Sequence, residues 1–208
     1  GSSVAENVYL VNGLNITNFR NFTGSSSVPF EFYDVVEVKT GGYQAEFGKA
    51  IGGVVNAVTK SGSNEWKAGV NVSYYPDSFY HDKPNTYSSL NDQDTRDYME
   101  YNVSLSGPII PDRAFFYILA NPVDNQTSDT AISGNRTDSN LQEDFFGAKL
   151  DFYITEDIHL EYTFFNDDSM GENLSFDSTG TQIGTSFINV GGDNEFVKLC
   201  GVLSECFS

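Results

Sequence analysis

The chain has 208 residues and carries 29 Asp and Glu against 11 Lys and Arg, a formal net charge of -18. That excess argues against nucleic acid as a partner, because phosphate backbones are bound through basic stripes, and anionic membrane surfaces repel it as well. Only 19% of the residues are charged and 14% are aromatic, so this is the composition of a folding chain and not of a disordered acidic tail.

In chain order, the first distinctive feature is the stretch Gly41 to Trp66, GGYQAEFGKAIGGVVNAVTKSGSNEW. It lacks the GxxxxGK[ST] spacing of a phosphate loop, and no helical pattern follows Lys60 and Ser61. Its glycines permit tight turns and close backbone approach beside VVNAV, which reads as a strand. From Trp66 onward the pattern has period two. WKAGVNVSYY separates Trp66, Ala68, Val70, Val72 and Tyr74 from Lys67, Gly69, Asn71 and Ser73. YMEYNVSLSG separates Met99, Tyr101, Val103 and Leu105 from Glu100, Asn102 and Ser104. AFFYILA is apolar on both faces, as a strand covered on both sides is. DFFGAKLDFYI sets Phe146, Ala148, Leu150 and Phe152 against Gly147, Lys149 and Asp151. IHLEYTFF sets Ile158, Leu160, Tyr162 and Phe164 against His159, Glu161 and Thr163.

The connections alternate in length. Long polar stretches follow Tyr75, span residues 122 to about 143 and run from Asp167 to about Asp193, whereas PIIPDR and Thr155 to Asp157 are short. An antiparallel up-and-down sheet elaborated at one end has this rhythm, and outer-membrane barrels combine it with aromatic girdles. No run approaches the ~20 apolar residues of a membrane-spanning helix, which says nothing against a barrel, whose strands alternate lipid-facing and lumen-facing residues. Cys200 and Cys206 are the two cysteines. They are too far apart to pair if the stretch is one extended strand, while a tight turn would reopen that pairing.

VEVKTGGYQAEFGKAIGGVVNAVTKSGSNEWKAGV resembles the end of the plug domain and the first barrel strand of TonB-dependent outer-membrane receptors, particularly their Oar-like branch. The matching residues are Val36-Glu37-Val38, Gly41-Gly42, Ala45-Glu46-Phe47-Gly48, Gly52-Gly53-Val54-Val55-Asn56 and Val58-Thr59-Lys60-Ser61-Gly62. Upstream, SSVAENVYLVNGLNITN is similar to the middle of the plug, with Asn12 where that family usually carries Asp. Downstream, LSGPIIPDRAFFY is similar to a second strand, periplasmic turn and third strand. The resemblance implies an all-β segment of a longer protein. Residues 1–63 are expected to form the C-terminal part of a plug, and 64–208 about the first six strands of an incomplete transmembrane barrel with long outer loops. It also implies an energy-transducing TonB-type partner, an extracellular ligand of unknown identity, outer-membrane lipid around the wall, and no cofactor.

Candidate residues follow from these readings. Glu46, Asn56, Thr59 and Lys60 are expected to make polar contacts between plug and wall that break when the plug is pulled. Phe79, Tyr80 and Tyr87 are candidates for ligand stacking in an outer loop, or for an aromatic girdle. Asp92, Asp94 and Asp97 are weak candidates for a hard cation, because their spacing lacks the EF-hand pattern and Arg96 intrudes. Enzymatic chemistry is not expected: His81 and His159 are the only histidines, no GxSxG elbow occurs, and the pairs Glu143-Asp144 and Asp167-Asp168 read as strand borders. The expected function is ligand capture at outer loops followed by TonB-coupled displacement of the plug. The alternatives are a structural or adhesive outer-membrane protein, and a soluble secreted β-sandwich binding module.

Overall fold

The computed structural model describes residues 7–17, 27–39, 53–81 and 83–201, and its regular structure is strand apart from two short 3₁₀ turns. A small mixed sheet comprises β1 (Val8–Val11), β2 (Leu14–Asn15), β3 (Tyr33–Lys39) and β4 (Val54–Thr59), in the order β2-β1-β4-β3. β1 and β2 form a two-residue hairpin in which Val11 pairs with Leu14. Its tip, Asn12-Gly13, has positive φ at both residues (49° and 89°), the conformation an Asn-Gly pair adopts most readily.

The large sheet is an antiparallel meander of β5 (Lys67–Tyr75), β6 (Thr95–Ile110), β7 (Ala114–Thr130), β8 (Arg136–Tyr153) and β9 (Ile158–Phe176), followed by β10 (Gln182–Val190) and β11 (Asp193–Gly201). β10 pairs with the far half of β9 and β11 with its near half. They act as one long edge strand interrupted at Gly191-Gly192, whose φ values of 99° and 146° no other residue type adopts comfortably. A Cβ on Gly191 would lie 2.8 Å from Asp168 Cα. Counted this way, six strands form the wall, and β5 and the β10/β11 strand are its unpaired edges.

Burial follows the alternation read from the sequence. On β8 the inward set Phe145, Gly147, Lys149 and Asp151 is buried and the outward set Phe146, Leu150 and Phe152 is exposed. The outward apolar set stays uncovered from edge to edge, with Val70 at 74% and Leu199 at 67% exposure. In a soluble β-sandwich one apolar face of each sheet is covered by the other sheet. Here the apolar face lies bare while the polar face is covered, which rules out that alternative. The outward apolar residues run from the short turns to Ala120, Phe146 and Phe164, and give way to Pro122, Asp144 and Asn166. That band covers about seven residues of each strand, from Ala114 to Ala120 on β7 and from Phe146 to Phe152 on β8, which is short of the roughly 9–11 residues with which a tilted strand crosses a bilayer.

β6 to β9 are 16, 17, 18 and 19 residues long, so they project well past such a band. Two of the three stretches expected as long loops are therefore strand. β7 and β8 pair without interruption from Ala114↔Phe152 to Thr130↔Arg136, leaving a turn over 131–135, and β9 likewise continues to Phe176. Past this band the outward positions are largely polar as well as the inward ones, so alternation disappears from the sequence while the backbone ladder continues. The first of the three stretches remains loop over the described residues 76–81 and 83–94, which include the 3₁₀ turn Asp77–Phe79.

The core lies between the sheets. Val11, Ile16, Phe32 and Ala57 of the small sheet side meet Tyr117, Leu119, Phe145 and Phe165 of the wall. Phe32, at the end of a 3₁₀ turn over Phe30–Phe32, is fully buried. It packs with ring centroids 6.0 Å from Tyr117, 5.4 Å from Phe145 and 6.5 Å from Phe165. The socket exists because Gly147 has no side chain: a Cβ there would lie 2.6 Å from Phe32 Cε2. Phe32→Ala should cost about 3–5 kcal/mol. In the full-length protein, limited proteolysis should then release small-sheet peptides at lower protease concentrations while wall peptides stay protected, and Gly147→Val should have the same effect by filling the socket.

Candidate functional site

Around Phe32, four hydrogen bonds tie the small sheet and its flanking segments to the wall. Asn12 Nδ2 donates to Thr59 Oγ1 at 2.7 Å and to Thr163 Oγ1 of β9 at 3.3 Å, and Asn12 Oδ1 accepts from the Thr59 N–H at 2.9 Å. Lys149 Nζ on β8 donates to Ser61 Oγ at 2.9 Å. The Tyr117 hydroxyl donates to the Glu31 carbonyl at 2.8 Å. The Ser27 N–H donates to Asp167 Oδ2 at 3.0 Å, while Asp167 Oδ1 accepts from the Gly192 N–H at 3.2 Å, so one carboxylate holds both the small-sheet segment and the interruption between β10 and β11. Where the chain leaves for the wall, Gly62 passes against backbone: a Cβ would lie 2.8 Å from Phe116 N and 3.0 Å from Gly107 O. Asn64 then exchanges two hydrogen bonds with Asp112 of the first short turn, at 2.6 and 2.8 Å.

The four expected contact residues are placed differently from one another. Thr59 is 1% exposed and reaches the wall through Asn12. Asn56 lies on β4 with its Oδ1 buried and without a hydrogen-bond partner among the described residues. Lys60 contributes its backbone N–H to the Phe32 carbonyl. Glu46 lies outside the described residues, as does Cys206. Of the loop aromatics, Tyr80 lines a cavity of about 230 Å³ with the Arg96 guanidinium 5.9 Å from its ring, while Phe79 and Tyr87 are exposed away from it. Asp92, Asp94 and Asp97 serve the loop backbone. Asp94 Oδ1 accepts from the Thr130 N–H at 2.7 Å, Asp97 Oδ1 accepts from the Asp77 N–H at 3.1 Å, and the Asp92 N–H donates to Asn85.

Asn12, Ser61 and Phe32 were the contacts not singled out from the sequence. The Asn-Gly pair is a visible hairpin signal, but nothing local shows that its side chain reaches a strand 151 residues away.

The carboxylates that converge are elsewhere, on the inward face near the short turns. Asp151, His159 and Glu161 bring one ligand atom each within 4.8 Å. The chemistry is that of an ion-pair network. Lys149 Nζ lies 3.5 Å from Asp151 Oδ1 and 3.8 Å from Glu161 Oε2, so a cation already holds the centre. The imidazole of His159 offers Nε2 to Asp151 at 3.1 Å and Nδ1 to Glu161 at 3.5 Å, whereas a metal would take a single nitrogen. Tyr153 stacks on that ring with centroids 4.4 Å apart. Lys149 is thus the hub joining the wall network to Ser61.

A small sheet held by a few bonds inside an arc of long up-and-down strands is the architecture of a plugged outer-membrane barrel. No family model matches the chain. Over 125 residues it is 33% identical to the TonB-dependent transporter Oar of Myxococcus xanthus, covering 56% of this chain and 11% of that protein. Its fold matches the siderophore receptor PirA of Acinetobacter baumannii with a TM-score of 0.61 and 20% identity, over 96% of this chain and 30% of that one. The chain is similar to a segment of TonB-dependent receptors in sequence and in fold, and it spans about a tenth of the curated relative's length.

Lys149, 3% exposed, neutralises two carboxylates that have little access to water. Lys149→Met should therefore destabilise the full-length receptor by about 3–5 kcal/mol in detergent unfolding. Adding Asp151→Asn should recover part of the loss, since it removes one of the uncompensated charges.

Proposed function

We propose that residues 1–63 are the C-terminal part of the plug and 64–208 the first strands of the barrel of an outer-membrane receptor. The receptor takes a ligand at its outer end and admits it when a TonB-type partner displaces the plug. The observation that carries this reading is the character of the plug-to-wall contact. One aromatic side chain is socketed, and around it run single hydrogen bonds of about 0.5–1.5 kcal/mol each. Within the wall, by contrast, β7 and β8 share an unbroken register of 17 residue pairs. A load applied to the plug therefore parts the weaker junction and leaves the wall standing. The names of the relatives, a TonB-dependent transporter and a siderophore receptor, support transport, and no covalent chemistry is proposed.

Thr59 reports the displacement, because it is buried at the junction and reaches the wall through a single Asn12 bridge. A Thr59→Cys receptor, expressed in cells in rich medium, should react slowly with an impermeant maleimide at rest. Labelling should rise severalfold when TonB is present and the inner membrane is energised. Equal labelling with TonB deleted or with a protonophore present would overturn the coupling.

A further inference from the structure

Lys149 links the wall network to the small-sheet side, and its bonding is uneven. The ammonium lies 3.5 Å from Asp151 Oδ1 and 3.8 Å from Glu161 Oε2, yet its short bond, 2.9 Å, goes to the neutral Ser61 hydroxyl. A buried ammonium ordinarily closes on a carboxylate, where the hydrogen bond is assisted by charge on both sides. Asp151 offers an acceptor for it: the residue is 3% exposed, and its Oδ2 is buried without a hydrogen-bond partner among the described residues. A buried acceptor left open keeps its full desolvation cost, so this arrangement persists only while another group supplies what Asp151 needs.

His159 is that group. Its Nε2 lies 3.1 Å from Asp151 Oδ1 and its Nδ1 lies 3.5 Å from Glu161 Oε1. Both ring nitrogens face a carboxylate oxygen, and only the imidazolium carries a proton on each. With that proton, Lys149 and His159 balance Asp151 and Glu161, and the ammonium is free to serve Ser61. Without it the cluster carries an uncompensated negative charge, and one ring nitrogen turns a lone pair toward a carboxylate. Further ionisable side chains border the ring from both neighbouring strands: Tyr153 of β8 stacks on it, and on β11 Cys200 and Lys198 stand opposite His159 and Glu161. Among side chains, imidazole is the one that ordinarily changes charge between about pH 5 and 8.

We infer that His159 positions Lys149, so that a proton on the imidazole sets how firmly the wall holds the small sheet. Protonated, His159 serves Asp151 Oδ1 and Glu161, and Lys149 stays on Ser61 Oγ. Deprotonated, it leaves Lys149 as the cation beside both carboxylates, and the ammonium moves from Ser61 to the open Asp151 Oδ2. Linkage gives the sign: the arrangement that keeps the proton is the one that acid favours. The grip is therefore full on the acid side of the imidazole's titration and is lost as pH rises through it.

The inference rests on the reading of the small sheet as a plug that is displaced, but its test needs no TonB partner, so it fails or succeeds separately from the labelling experiment. Single full-length receptors in a bilayer, held at constant load on the N-terminal side of the plug, report the rate at which the plug leaves. The force that then extracts wall strands is the control for folding. Between about pH 5.5 and about pH 8.5 the wild-type release rate should rise about tenfold, the effect of one hydrogen bond to a charged group. His159→Gln and Ser61→Ala should release fast at both pH values, because one lacks the proton and the other the bond. Asp151→Asn should release slowly at both, since it removes the charge and the acceptor that draw Lys149 away, whereas a merely structural role for the network would make this variant release faster. Ser61→Ala and Asp151→Asn carry the test should His159→Gln fail to fold. A wild-type rate independent of pH, a pH dependence that survives in Ser61→Ala, or fast release from Asp151→Asn at about pH 8.5 would overturn the inference.

Discussion

Everything in this structure depends on one ring. Phe32 enters the space left by Gly147 and is held by Tyr117, Phe145 and Phe165, so the small sheet meets an otherwise polar inner wall at a single apolar focus. Burying one phenylalanine and its socket fixes position without joining the sheets through a ladder. The hydrogen bonds from Asn12, Ser61, Ser27 and Tyr117 then fix orientation, each to a partner that water replaces at little cost. The wall is built on the opposite principle, with β8 hydrogen-bonded along its length to β7 and β9.

The same contrast explains which parts were legible in the sequence. Strand identity from Trp66 to Phe164 was readable because the two faces of each strand differ, the outward one apolar and bare and the inward one largely polar and turned toward the small sheet. That difference forces a period of two. AFFYILA read as covered on both faces because Phe115, Tyr117 and Leu119 turn inward onto the small sheet while Phe116 and Ile118 turn outward. Past Ala120, Asp144 and Asn166 both faces are largely polar, and the strands look like loops although the pairing continues.

The junction itself was only partly legible. Its glycine-rich segment and Thr59 stood out, but the wall partners did not, because Lys149 and Ser61 are separated by 88 residues and Asn12 and Thr163 by 151. Phe32 sits in VPFEF, a stretch with no periodicity to mark it, and Gly147 passes as one more small residue on a polar face. Asn12, by contrast, stands where the receptors this chain resembles usually carry Asp, and its amide bridges Thr59 to Thr163.

Force spectroscopy on the full-length receptor held in a bilayer tests the central claim most directly, with the load applied at the N-terminal side of the plug. The account predicts that the plug parts from the wall in an early, low-force event, before any wall strand is extracted, and that Phe32→Ala lowers that force further. Extraction of wall strands first, or a plug that leaves only together with them, would contradict it.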